Sequence, residues 1–261
     1  MLTPDFVSCA LKIGRAEEHL MALQTETVAW YKSEPYTGIK KRNADGSRYS
    51  VIAEIKNKPT LERWSLLSAD CLHNLRSALD HMVYVIAVRD SGQSPPPGEK
   101  SLQFPICDTP EKFAGQQWRI GGLSDRVQAA IESVQPYNRP YPDLPPLLGL
   151  LRDFNDVDKH RLLKVAIAQH VKGNLTCFLT NPKPAIHIGY KPGPVEDGAE
   201  IAWFTVDPPS LDVEFKHSAA VAICIDHATG PTGITSTEVG GIMEFLTSEV
   251  RVVIDQISVI V

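Results

Sequence analysis

LERWSLLSADCLHNLRSALDHMVYVIAVR, residues 61–89, decides how the rest of the chain is read. Leu61, Trp64, Leu67, Cys71, Leu72, Leu75, Ala78, Leu79, Met82 and Ile86 recur at steps of three and four. That period is helical, and so wide a stripe belongs against a core. At about 100° per residue, Leu72, Leu75, Leu79, Met82, Val83 and Ile86 gather on one side. Asp70, His73, Asn74, Ser77, Asp80, His81 and Tyr84 gather on the other, with Arg76 at the border. An ordinary solvated face carries Lys, Glu and Gln, which are good helix formers. This face carries weaker ones, which are better explained if they hydrogen-bond another element or a ligand.

Working outward, Pro59-Thr60 opens this central helix. Before it, Thr3-Pro4 has the form of an N-cap followed by proline at the first helical position. That predicts a helix to about Tyr31, with Ile13, Ala16, Leu20 and Leu23 on one side. Asp45-Gly46 lies between two extended stretches, YTGIKK and SRYSVIAEI, and predicts a hairpin. SGQSPPPGEK, 91–100, is loop by composition. A short helix is expected after Thr109-Pro110, another from Ser124 to Gln135-Pro136, and a third capped by Asp143, with Pro145 and Pro146 in its first turn, ending near Arg161.

From there the texture changes. LLKVAIAQHV, NLTCFLT, PAIHIGY, AEIAWFTV and VEFKHSAAVAICI are short, rich in β-branched residues and divided by Gly, Pro and Asn. They predict an antiparallel sheet. TSTE, 235–238, has the form of a capping box. After it Val239, Ile242, Leu246, Val250, Val253 and Ile257 repeat at helical spacing. The expected fold is α+β: a bundle-like helical part over 1–165, with the hairpin near 37–55, then an antiparallel β region over 166–261 covered by a closing helix at 236–257. The two parts are expected to form one compact unit.

A net charge of -5 over 261 residues argues against a broad polyanion-binding surface, so any nucleic-acid contact has to be a local patch. The five cysteines, Cys9, Cys71, Cys107, Cys177 and Cys224, are scattered and show no CxxC spacing. That pattern argues against a disulfide framework or a zinc ribbon and fits reduced thiols in a cytoplasm. Cys71, on the edge of the apolar stripe, is expected to be a small buried hydrophobe. The start of the chain has no basic region followed by an apolar core, so no signal peptide is expected. No run is long and apolar enough to span a bilayer. Trp30, Trp64, Trp118 and Trp203 are expected in core or edge packing, and His170, His187 and His217 on strand surfaces. Gly240-Gly241 falls within the predicted closing helix, where it allows close packing.

Arg76 and His81 are separated by four residues, and Ser77 directly follows the arginine. This resembles the Arg-x4-6-His motif of the HEPN superfamily, helical domains that include many metal-independent bacterial ribonucleases of defence and toxin–antitoxin systems. The longer pattern, LHNLRSALDHMVY with FPI at 104–106, QPY at 135–137 and DKHR at 158–161, is similar to a widespread uncharacterised bacterial family. That second likeness covers most of the chain and brings no known activity. The first implies an endoribonuclease that needs no cofactor. His81 would move protons at a ribose 2′-hydroxyl, and Arg76 would hold the scissile phosphate. His160 is the third catalytic candidate, and His73, Asn74, Ser77, Asp158 and Arg161 are the substrate-binding or orienting candidates. The resemblance implies RNA as partner and a homodimer with the central helices near its interface. Three features depart from it. HEPN enzymes commonly carry Asn, His or Asp where Ser77 stands. The β-rich region is foreign to a HEPN domain. A five-residue step also sets Arg76 and His81 about 140° apart on a straight helix.

LRDFNDVDKHRLL brings Asp153, Asp156 and His160 within about 60° of one another on a helix, a trio able to ligate a divalent metal. The alternative is structural. Lys159, His160 and Arg161 then sit at the negative end of the helix dipole, and the carboxylates pair with them or with Arg76. In that case an inter-helix polar network is expected from Arg76 or His73 to Asp156 or Asp158. Three functions are therefore open: a HEPN-like ribonuclease, a non-catalytic binding or scaffold protein with an unknown protein partner and an internal network on the polar helix face, and a metal-dependent enzyme.

Overall fold

The 61–89 stretch folds as the centre of the protein. In the computed structural model, which describes residues 6–139, 146–169, 174–178, 185–191, 193–211, 213–218, 221–226 and 236–261, it forms helix α2, Leu61–Ser91. Trp64, Cys71, Leu72, Leu75, Ala78, Leu79, Met82, Val83 and Ile86 are all buried, as their spacing requires. The helix stops at Gly92, which takes the left-handed conformation (φ 65°) and donates its N–H to the Val88 carbonyl.

Three helices pack against α2: α1 (Val7–Lys32), α5 (Leu147–His160) and α6 (Val239–Ser258). Ile13, Ala16, Leu20 and Leu23 form the buried side of α1, as predicted. The expected start at Thr3-Pro4 lies outside the described residues. So does Asp143, the expected cap of α5. Pro146 occupies the N-cap of α5 rather than its first turn. Two shorter helices, α3 (Pro110–Gln116) and α4 (Asp125–Ser133), lie between. Thr109 caps α3 by accepting the Lys112 N–H.

The hairpin is β1 (Tyr36–Arg42) and β2 (Arg48–Ile55). Gly46 sits in its turn at φ 74°, and a Cβ there would overlap the Ser210 carbonyl. The remaining strands are β3 (Val165–Gln169), β4 (Asn174–Phe178), β5 (Ala185–Tyr190), β6 (Gly193–Pro194), β7 (Glu200–Asp207), β8 (Glu214–Ser218), β9 (Val221–Asp226) and β10 (Ser236–Glu238). The 213–225 stretch supplies two of these, β8 and β9, in different sheets. All pairings are antiparallel, in the orders β1-β2-β7-β5, β10-β9-β3-β6 and β4-β8. The first sheet draws strands from both halves of the chain, with Tyr49 opposite Phe204 and Ser50 opposite Trp203. The Tyr49 and Phe204 rings stack at 4.8 Å, and a Cβ on Gly189 would collide with the Trp203 indole.

One apolar core links Leu75 and Leu79 of α2 to Ile167 of β3, Ile223 and Ile225 of β9, and the inner side of α6. Val239, Ile242, Leu246, Val250, Val253 and Ile257 are all buried, so the closing helix reads as expected. Its N-terminus differs. The chain stays extended through Glu238 because β10 pairs with β9. Glu238 is then the cap itself, its carboxylate accepting the N–H groups of Gly240 (3.0 Å) and Gly241 (2.6 Å). The two glycines therefore form the first turn, and a Cβ on Gly241 would crowd Glu238.

Candidate functional site: the polar side of the central helix

The polar side of α2 divides into two. One edge turns inward. Arg76 is buried, and its Nη2 donates to Asp80 Oδ1 at 2.9 Å and to the carbonyl of Phe104. Asp80 Oδ1 also accepts the Phe104 N–H at 2.9 Å. An i,i+4 ion pair thus grips both backbone polar groups of a single residue, as a neighbouring strand would. Burial pushes the Asp80 carboxyl above its ordinary range, against Arg76, the Phe104 N–H and Lys159, which lower it.

The residues after Phe104 are held the same way. Gln135, fully buried, donates to the Pro105 and Ile131 carbonyls, both at 3.0 Å, and accepts the Cys107 N–H at 2.9 Å. Arg152 of α5 reaches the Ile106 carbonyl at 3.4 Å and pairs with Asp108 at 2.9 Å and Asp153 at 2.7 Å. The strap 104–107 runs beside α2 without a strand to pair with. Four side chains, Arg76, Asp80, Gln135 and Arg152, satisfy its backbone instead.

The other edge stays open. Leu66, Asp70, His73, Ser77, His81 and Tyr84 fall within about 80° of one another on the helix, and all are exposed or half-buried. His19 of α1 lies 3.9 Å from Asp70. Burial and then the nearby charge of Lys12 hold His81 below its ordinary pKa, while Asp80 pulls the other way. Burial and the charge of Asp70 raise Asp158 of α5, and His73 opposes them. Asp158 thus faces Asp70 and His73 across the stripe.

The candidate residues therefore part company. Arg76 points into the strap and His81 to the open rim, in keeping with their angular separation, and Asp80 stands between them. Asn74 is buried and returns its amide to the Asp70 carbonyl of its own helix at 2.8 Å. His73 and Ser77 belong to the open stripe. His160 and Arg161 are exposed at the end of α5, where Arg161 closes the last turn. Of the expected inter-helix links, His73 and Asp158 are near enough for the histidine's charge to lower the carboxyl pKa, with no hydrogen bond or ion pair between them among the described residues. Arg76 goes to Asp80 and the Phe104 carbonyl, and Asp156 pairs with Lys159 at 2.9 Å.

Among the described residues, no group of three or more His, Cys, Asp or Glu is placed to hold a metal ion. Asp153 is engaged by Arg152 and Asp156 by Lys159, so the Asp153, Asp156 and His160 trio has its carboxylates committed elsewhere. Cys9, Cys71, Cys107 and Cys224 are free, buried thiols, and burial raises Cys71 to about 12. Among the tryptophans, Trp118 departs from expectation. It is exposed, with the Arg119 guanidinium 4.7 Å over its ring. His187 is exposed on β5; His170 lies outside the described residues. No described helix is long and apolar enough to cross a membrane.

Gln135, Arg152 and Asp108 were not among the sequence candidates. FPI nevertheless carries the carbonyl that Arg76 bonds, and QPY carries the glutamine that holds the strap, so their co-occurrence was the available signal. No protein-family model, curated protein or solved structure matches this chain.

Proposed function

We propose that this chain is a non-catalytic binding or scaffold protein of the cytoplasm, in which the inner polar edge of α2 organises the fold. The observation that carries this reading is the commitment of Arg76. Its buried guanidinium is spent on Asp80 and the Phe104 carbonyl, whereas a phosphate-binding arginine needs an open approach. The surface left for a partner is the open stripe from Leu66 to Tyr84, which mixes apolar ends with a titratable middle.

A second reading keeps one observation in its favour. His81 is held toward its neutral form beside Lys12, which suits a general base next to an anion site. That arrangement supports a metal-independent ribonuclease only if Lys12 replaces Arg76 as the phosphate contact. The test is incubation of the full chain with single-stranded RNA in EDTA, alongside His81→Ala. No cleavage by either protein is the expected outcome. Cleavage by the parent that disappears in His81→Ala overturns the non-catalytic reading.

A further inference from the structure

The geometry points to self-association through the outer face of α1 and α6, a surface that does not depend on the reading of α2. The two helices lie antiparallel. Glu17 pairs with Arg251, and Gln24 donates to Glu244, which fixes their register. Beside this polar seam, α1 carries Val7, Gly14, Met21 and Val28, one every seven residues. On its own outer side α6 carries Phe245 and Val252, with Val259 at its C-cap, again one every seven. The six side chains are 46% to 82% exposed. A seven-residue repeat keeps a row nearly straight along its helix, which is the layout for contact with another helix running alongside. Together the six present on the order of 600 Å² of apolar surface, in two rows beside the polar seam, against the ~800 Å² per partner of a specific interface.

The occupant that this face fits is a second copy of itself. A two-fold axis parallel to the helices lays α1 of one copy over α6 of the other, and α6 over α1. Such an axis preserves height, so the register within one chain is also the register between chains. In that register each α6 side chain meets a gap in the facing α1 row. Phe245 enters between Met21 and Val28, Val252 between Gly14 and Met21, and Val259 between Val7 and Gly14. At Gly14 an added Cβ would meet nothing within 4 Å, so the row has an open hole where Val252 of the second copy seats.

Light scattering on the full chain tests this. The parent is expected to run as a dimer, and Met21→Glu and Val252→Glu as monomers with unchanged circular dichroism. Ile188→Glu, exposed on β5 and outside the face, is expected to stay dimeric. Mixing Met21→Cys chains with Phe245→Cys chains is expected to give a cross-linked pair that neither yields alone. A monomeric parent, a dimer unaffected by both glutamates, or cross-linking only between two Met21→Cys chains overturns the proposal.

Discussion

Replacing Arg76 by methionine keeps an unbranched apolar stem and removes the charged guanidinium. The change deletes a charge-assisted hydrogen bond to the Phe104 carbonyl and the 2.9 Å contact with Asp80. A hydrogen bond from a charged donor contributes about 1.5–3 kcal/mol. Stranding a fully buried partner charge costs about 3–5 kcal/mol. Asp80 is 30% exposed at its side chain and keeps the Phe104 N–H, so water and that amide soften the second loss. The expected destabilisation is therefore roughly 2–4 kcal/mol, below the sum of the two effects. Asp80→Asn retains an acceptor for Phe104 and is expected to cost about 1–3 kcal/mol, mainly by leaving the Arg76 guanidinium without its counter-charge. In the double variant neither charge is stranded, so its loss is expected to fall short of the summed single losses by about 1–2 kcal/mol. Urea unfolding followed by tryptophan fluorescence and by circular dichroism measures all three, provided the two probes coincide. An Arg76→Met midpoint equal to the parent's, or strictly additive losses, refutes the account of this pair.

Gln135→Ala leaves the Cys107 N–H and the Pro105 carbonyl without their buried partner and is expected to cost about 2–4 kcal/mol in the same assay. Leu75→Ala and Leu79→Ala, both fully buried, are expected to cost about 2–5 kcal/mol each; melting temperatures within a degree of the parent would remove this helix face from the core. The lowered pKa of His81 means the unfolded chain binds the proton more readily, so its contribution is complete above the ordinary value of 6.5 and is lost as pH falls through the lower folded value. His81→Gln is therefore expected to flatten the fall in stability as pH drops below about 6.5, and an unchanged slope would contradict the burial assigned to the ring.

The helical core was legible because its signal is local. Leu72, Leu75 and Leu79 announce a buried stripe by spacing alone, and so do Val239 to Ile257 in the closing helix. The start of that helix was misread because TSTE satisfies the capping-box pattern while strand pairing with β9, a contact remote in sequence, keeps those residues extended to Glu238. Of the polar face, Asp80, with Arg76 at its border, bonds another element, while His73, Ser77, His81 and Tyr84 stay on an open edge. The partner of Arg76 was not readable. The expected targets, Asp156 and Asp158, lie on α5, whereas Asp80, one turn along the same helix, captures Arg76 first. The second partner is a backbone carbonyl, and backbone groups carry no residue signature. Gln135 shows the same limit: before Pro136 it reads as a helix stop, and only the strap beside it explains why a glutamine is fully buried.

Amide hydrogen exchange at Phe104 tests most directly the claim that this polar edge is a clamp on the chain. Its N–H has Asp80 as acceptor, in a segment with no strand beside it. The account predicts strong protection in the parent and a selective loss of protection at Phe104 in Asp80→Ala, with the core amides of α2 still slow. A Phe104 amide that exchanges at the rate of an open loop in the parent, or that keeps its protection when Asp80 is removed, would contradict it.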